Sequence, residues 1–158
     1  MIKVMFVCHG NICRSPMAEM ILKELTRRRG IAERFVIESS ATSTEEIYRG
    51  TGNPVYPPAK AELKKQGIPC GEHRAVQLTR ADYGRYDLLI GMDRYNLRNM
   101  ERILGGDPDG KIRTMLSFAG REGDVADPWY SGRFDTAFAD IMEGCTGLLD
   151  ELERRGKL

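Results

Sequence analysis

Apolar positions along this chain change register several times, and each change marks an element. Ile2-Lys3-Val4-Met5-Phe6-Val7 is a short, nearly continuous apolar run, the pattern of a strand buried on both faces. Ser15 and Pro16 then have the chemistry of a helix N-cap and a first helical residue. Met17, Met20, Ile21 and Leu25 follow at helical spacing, and Gly30 stands where that helix would stop. Phe35-Val36-Ile37 predicts a second strand, and residues 39–58, rich in Ser, Thr, Gly and Pro, predict a long loop. Ala59 to Gln66 reads as a short helix closed by Gly67. Thr79-Arg80-Ala81-Asp82 reads as a capping box before another short turn of helix. Asp87 to Ile90 predicts a third strand, Asp93 the cap of a helix carrying Leu97, Met100 and Leu104, and Lys111 to Met115 a weaker fourth strand. Phe138, Ile141, Cys145, Leu148, Leu149 and Leu152 form the apolar stripe of a last helix. Gly144 and Gly147 within it should each cost roughly 1 kcal/mol relative to Ala.

Strands alternating with helices predict an α/β fold on a mostly parallel sheet with right-handed crossovers. In such folds ligands gather at the carboxyl ends of the strands. The turn after the first strand, starting at Cys8, is therefore the first place to look for chemistry.

Composition narrows the class without naming a function. The 158 residues suit one domain, 1–158, and 41% hydrophobic content is enough for a packed core. A net charge of +1 gives no footprint for nucleic acid or a membrane surface, and no apolar run approaches a membrane span. Met1 to Val7 lacks the basic start and cleavage site of a signal peptide, so no targeting segment is expected. Four cysteines are too sparse for a disulfide scaffold, and the two histidines lack ligand spacing with them. A cytoplasmic protein with no metal and no cofactor is the expectation. A monomer is expected too, a weak dimer being the alternative.

The turn reads Cys8-His9-Gly10-Asn11-Ile12-Cys13-Arg14-Ser15-Pro16. A helix N-terminus aims unpaired N–H groups and a positive dipole end at it, and successive N–H groups in a tight turn form an anion-binding nest. Gly10 and Asn11 are residue types that accept the unusual backbone angles of a nest. Cys8 at the base, near Arg14, is placed as a thiolate nucleophile. The planar fork of Arg14 matches two oxygens of a phosphoryl group.

CHGNICRSP directly after a first strand resembles the signature loop of the low-molecular-weight protein tyrosine phosphatases. The resemblance extends over most of the chain, through Ser39, the His73 region, Met92-Asp93 and the last helix. It implies a three-layer sandwich with a central four-stranded parallel sheet, flavodoxin-like, and hydrolysis of phosphotyrosine and small aryl phosphates. The loop N–H groups from His9 to Ser15 (His9, Gly10, Asn11, Ile12, Cys13, Arg14, Ser15) would hold the phosphate. Asp127, in Ala126-Asp127-Pro128-Trp129-Tyr130, matches the family's general acid and base. Ser15 would assist the Cys8 sulfur, His73 would brace Asn11, and Cys13 would form a reversible disulfide with Cys8 that guards it from deeper oxidation. Implied partners are tyrosine-phosphorylated proteins or peptides, with inorganic phosphate as product and inhibitor.

Trp129 and Tyr130 match the family's aromatic rim. The opposite wall departs from the pattern: Thr44-Glu45-Glu46 is acidic where relatives usually carry an aromatic, and Tyr48 is the candidate replacement. Three alternatives stay open. A protein-arginine phosphatase of this family tends to have Thr where this chain has Ile12. An arsenate reductase of similar fold needs a cysteine relay, and Cys70 lacks an adjacent partner. A thiol redox sensor would use Cys8 and Cys13 but has no use for Asp127.

Overall fold

The computed structural model describes residues 1–158. Strand β1 (Ile2–Cys8) is buried from Val4 onward, as a strand covered on both faces must be. It pairs in parallel with β2 (Phe35–Ala41) on one side and β5 (Leu88–Gly91) on the other. β6 (Ile112–Thr114) extends the far edge, giving the order β2-β1-β5-β6 with every pair parallel. Helices cover both faces, so the α/β sandwich expected on a four-stranded parallel sheet is the fold found. Helix α1 (Arg14–Arg28) and the long α6 (Phe134–Arg154) share the larger core with Phe6, Ile37 and Ile90. Helix α4 (Arg94–Leu104) covers the other face, burying Met100 and Leu104 against Met5, Val7 and Leu89. No helix is long and apolar enough to cross a membrane.

Several sequence expectations shift when tertiary contacts are present. Ser15 is not the N-cap of α1; the helix starts at Arg14 behind Cys13, which makes no side-chain cap bond. The Ser15 hydroxyl is committed to the turn instead. The second strand runs on to Ala41, through buried Ser39 and Ser40. Helix α2 (Pro57–Lys65) starts on its prolines, whose missing N–H costs nothing in a first turn. Asp82, opening α3 (Asp82–Arg85), accepts from the backbone N–H and hydroxyl of Thr79, the reach-back half of the expected box. Asp93 does cap α4, and Asn96 completes the reciprocal bond. The fourth strand gives way at Met115 to a 3₁₀ turn, Met115–Ala119. Gly144 and Gly147 are there for close approach to this turn. A Cβ at 144 would lie 2.7 Å from the Met115 carbonyl, and one at 147 would lie 2.0 Å from that of Phe118.

The long loop after β2 contains a small hairpin, β3 (Ile47–Tyr48) and β4 (Thr51–Gly52). Arg49 and Gly50 both have positive φ, 50° and 80°, which is the two-residue turn whose twist suits a hairpin. Arginine is a poor residue for that first position, so the turn was not legible locally.

Candidate active site

β1 delivers Cys8 to the carboxyl edge of the sheet, directly below the N-terminus of α1. Asn11 takes φ 60°, a left-handed conformation that asparagine tolerates, and turns its N–H back to Cys8 Sγ at 3.3 Å. Gly10 does not share the unusual angle. Its missing side chain provides room, because a Cβ there would sit 3.2 Å from Glu46 Cγ. The Asn11 N–H, expected among the phosphate donors, is thus spent on the sulfur, whereas the N–H groups of His9, Gly10, Ile12, Cys13, Arg14 and Ser15 meet no acceptor within the protein. All of these residues but Ser15 line a cavity of about 150 Å³ above Cys8. Converging donors at a helix N-terminus make an anion site.

The hydrogen bonds behind this loop have a readable polarity. The Val76 N–H donates to Asn11 Oδ1 at 3.1 Å, which fixes that atom as the carbonyl oxygen. His73 Nε2 lies 3.0 Å from the same oxygen and must carry the hydrogen. Asn11 Nδ2 then donates to Ser15 Oγ at 2.7 Å and to Ser39 Oγ at 3.0 Å. Ser39 passes its own hydrogen to Glu19 Oε1 at 2.6 Å, and Lys23 Nζ holds the other carboxylate oxygen at 2.6 Å. The Ser15 hydrogen is left for Cys8 Sγ, 3.0 Å away. Two donors therefore face the sulfur, the Asn11 N–H and the Ser15 hydroxyl. Burial pushes the His73 imidazole towards its neutral form, opposed by the Glu19 carboxylate 3.5 Å from Nδ1.

Arg14 is 3% exposed and held from behind. Its Nη1 donates to Asp93 Oδ2 and to the Val125 carbonyl, both at 2.8 Å, and its Nη2 stands 3.4 Å from Asp127 Oδ2. Asp127 caps α5 (Pro128–Ser131) by accepting from the Trp129 N–H at 3.0 Å. It belongs to the cavity wall together with Trp129 and Tyr130. Trp129 leans on Tyr56, ring centroids 4.8 Å apart, and Tyr56 in turn packs near Phe134.

The structure thus gathers Cys8, Asn11, Arg14, Ser15, His73 and Asp127 around one cavity floor and its support. Tyr48 does not join them, contrary to the expectation that it replaces the missing wall. It lies 72% exposed on the hairpin beneath Arg49, outside the cavity lining, which Glu45 and Glu46 complete. Cys13 is buried in the same lining, and burial, with Cys8 and Asp127 nearby, pushes its thiol up to about 12. Cys145 is a core residue of α6 and Cys70 lies apart from the cavity. Sequence reasoning missed Glu19, Asp93 as the arginine's anchor, and Tyr56. The position of Asp93 just past the end of β5 was the available signal for one of them.

Over residues 3–158 the chain matches the family described as "Low molecular weight phosphotyrosine protein phosphatase". The chain belongs to that family. It is 32% identical over 160 residues to the low molecular weight protein-tyrosine-phosphatase YfkJ of Bacillus subtilis, covering all of both chains. The crystal structure of YfkJ superposes with a TM-score of 0.87 at 30% identity, covering 98% of this chain and 96% of that one. The crystal structure of a Drosophila arginine phosphatase superposes with a TM-score of 0.83 at 28% identity, covering 95% of this chain and 97% of that one. Membership in the phosphotyrosine protein phosphatase family makes this chain a phosphoric monoester hydrolase.

Proposed function

We propose that this phosphatase hydrolyses phosphotyrosine in proteins and peptides through a phosphocysteine intermediate. The Cys8 thiolate attacks phosphorus in line, forming the S–P bond as the P–O bond to the phenol breaks. Asp127, in its acid form, gives its proton to the departing phenol oxygen. As a carboxylate it then takes a proton from the water that attacks phosphorus, and thiolate and inorganic phosphate are released. Arg14 and the orphaned loop N–H groups balance charge on the phosphoryl oxygens in both steps. The Ser15 hydroxyl steadies the sulfur as a leaving group in the second.

One observation carries the reading. The wiring from Val76 and His73 through Asn11 leaves Ser15 only one use for its hydrogen, the Cys8 sulfur. A sulfur held by two donors under a nest of free N–H donors suits a nucleophile facing a phosphate that those N–H groups would hold. Trp129 and Tyr130 on the wall, and Ile12 in the loop, favour a phenyl ring over a phosphorylated guanidinium. Cys13 is the partner for an oxidised Cys8. Peroxide converts the Cys8 thiolate to a sulfenic acid, and the Cys13 thiol displaces its hydroxyl as water to form a disulfide that cellular thiols reduce. A reducing cytoplasm suits such a nucleophile.

Cys8→Ser should reduce metal-free hydrolysis of an activated aryl phosphate to background while the protein keeps its fold. Surviving activity removes the covalent mechanism. Rates on phosphotyrosine, phosphoarginine and phosphoserine peptides, with arsenate reduction run alongside, settle the substrate class, and phosphotyrosine should lead.

A further inference from the structure

The cavity is uneven in charge from floor to mouth. Its single arginine, Arg14, lies at the floor and already faces Asp93 and Asp127. The mouth has Glu45 and Glu46 beside His9, and no lysine or arginine lines it. Neither glutamate has a part in the proposed chemistry, yet a phosphate dianion must pass both.

Both carboxylates are held in place. Glu45 Oε2 lies 3.1 Å from His9 Nε2, inside the phosphate loop. Glu46 Oε2 accepts from Asn53 Nδ2 at 2.7 Å, and its carbonyl accepts from the Asn53 N–H at 2.8 Å. Gly10 lets the Glu46 side chain rest directly against the loop. A carboxylate tolerated this close to an anion site needs a counter-charge, and apart from the His9 imidazole, charged only when protonated, no basic side chain lines the mouth.

We infer that Glu45 and Glu46 make the enzyme selective for phosphotyrosines flanked by lysine or arginine, and turn acidic flanks away. The inference rests on the proposed reaction at Cys8. A basic residue next to the phosphotyrosine supplies the missing charge on arrival, whereas an acidic one adds to a field already negative. Charges at an exposed rim act mainly on the rate of productive encounter and are weakened by salt. Exposed pairs of this kind correspond to about two- to fivefold each in kcat/KM.

The test uses phosphotyrosine peptides that differ only in lysine, alanine or glutamate on either side of the phosphotyrosine. At low ionic strength the lysine peptide should exceed the glutamate peptide in kcat/KM by roughly tenfold, two such pairs acting together. The ratio should shrink towards one in about 1 M salt, where the screening length is only about 3 Å. Glu45→Gln combined with Glu46→Gln keeps acceptors for His9 and Asn53 and should flatten the ratio. Glu45→Lys, at an exposed position, should reverse it, and serves should the double variant fold poorly. Wild-type hydrolysis of p-nitrophenyl phosphate, which has no flanking residues, separates the two ideas. If that substrate turns over while lysine and glutamate peptides react equally, the selectivity is refuted and the phosphatase reading stands. A ratio that survives both sets of variants also refutes it. No turnover of the aryl phosphate overturns both.

Discussion

In the phosphate loop Asn11 and Ser15 are wholly buried, whereas on the rim of the same cavity Trp129 is 54% and Tyr130 87% exposed. The loop's side chains are joined by hydrogen bonds with one permitted direction each, running from Val76 and His73 to the Cys8 sulfur. The rim is held by an aromatic lean on Tyr56 and by single polar contacts such as Glu46 with Asn53. The difference separates two tasks. A reacting group has to be positioned within a fraction of an ångström, which needs a saturated network. A recognising surface only has to present shape and charge, and it can vary without disturbing the chemistry. Substitutions in the loop should therefore cost turnover and stability together, and substitutions on the rim should cost selectivity alone.

Asp127 lies on the boundary and gives the largest expected effect. Asp127→Asn keeps an oxygen to accept from the Trp129 N–H, so the cap of α5 survives. What it loses is the proton for the leaving group, a contribution of about 10²–10⁴ in rate. The loss should be greatest on phosphotyrosine and smaller on p-nitrophenyl phosphate, whose leaving oxygen needs less help. Equal losses on the two, measured as kcat, exclude Asp127 as the acid and move it wholly to the rim.

Asn11 tests the loop as a structure. Asn11→Ala and Asn11→Gly both remove the amide that joins Val76, His73, Ser15 and Ser39. Only alanine also meets strain at φ 60°. Asn11→Ala should lower unfolding stability by about 3 kcal/mol or more, summing left-handed strain and buried groups left unpaired. Asn11→Gly should recover about 1 kcal/mol of that strain but not the turnover, because Ser15 has lost its orientation. Urea unfolding with kcat on the same samples decides. If either variant keeps both wild-type values, the network is not what positions the sulfur.

The same division explains what the sequence disclosed. The chemistry of the loop lies in one contiguous string, Cys8 to Pro16, between an apolar strand and an apolar helical stripe. Local patterns therefore located the fold and put Cys8 and Arg14 on one turn, and the Asp-Pro-Trp-Tyr string singled out Asp127, which lines the same cavity. Partners brought together by the sheet topology had no such local mark. Arg14 meets Asp93 across 79 residues of chain, and Asn11 meets Val76 across 65. Glu19 looked like an ordinary helix residue until Ser39 and Lys23 were placed on it. Ser15 had the residue type of a cap, but a sulfur and an amide claimed its hydroxyl. Tyr48 and Tyr56 both lay in the long loop, and only the Arg49-Gly50 turn and the start of α2 decide which of them reaches the aromatic wall.

Trp129→Ala gives the smallest effect and the sharpest check on the rim. The indole leans on Tyr56, and its exposure leaves it available to a substrate ring. An aromatic contact of about 0.5–1.5 kcal/mol corresponds to roughly a two- to tenfold rise in KM for phosphotyrosine peptides. Unfolding stability should move by less than about 1 kcal/mol, since most exposed substitutions do. Turnover at saturating substrate should stay within about twofold, because a contact made equally to substrate and transition state changes binding and not kcat. A large fall in kcat with KM unchanged would mean that the indole positions Asp127, two residues before it. The rim would then belong to the catalytic machinery, and the division between a positioned floor and a permissive mouth would fail on that side of the cavity.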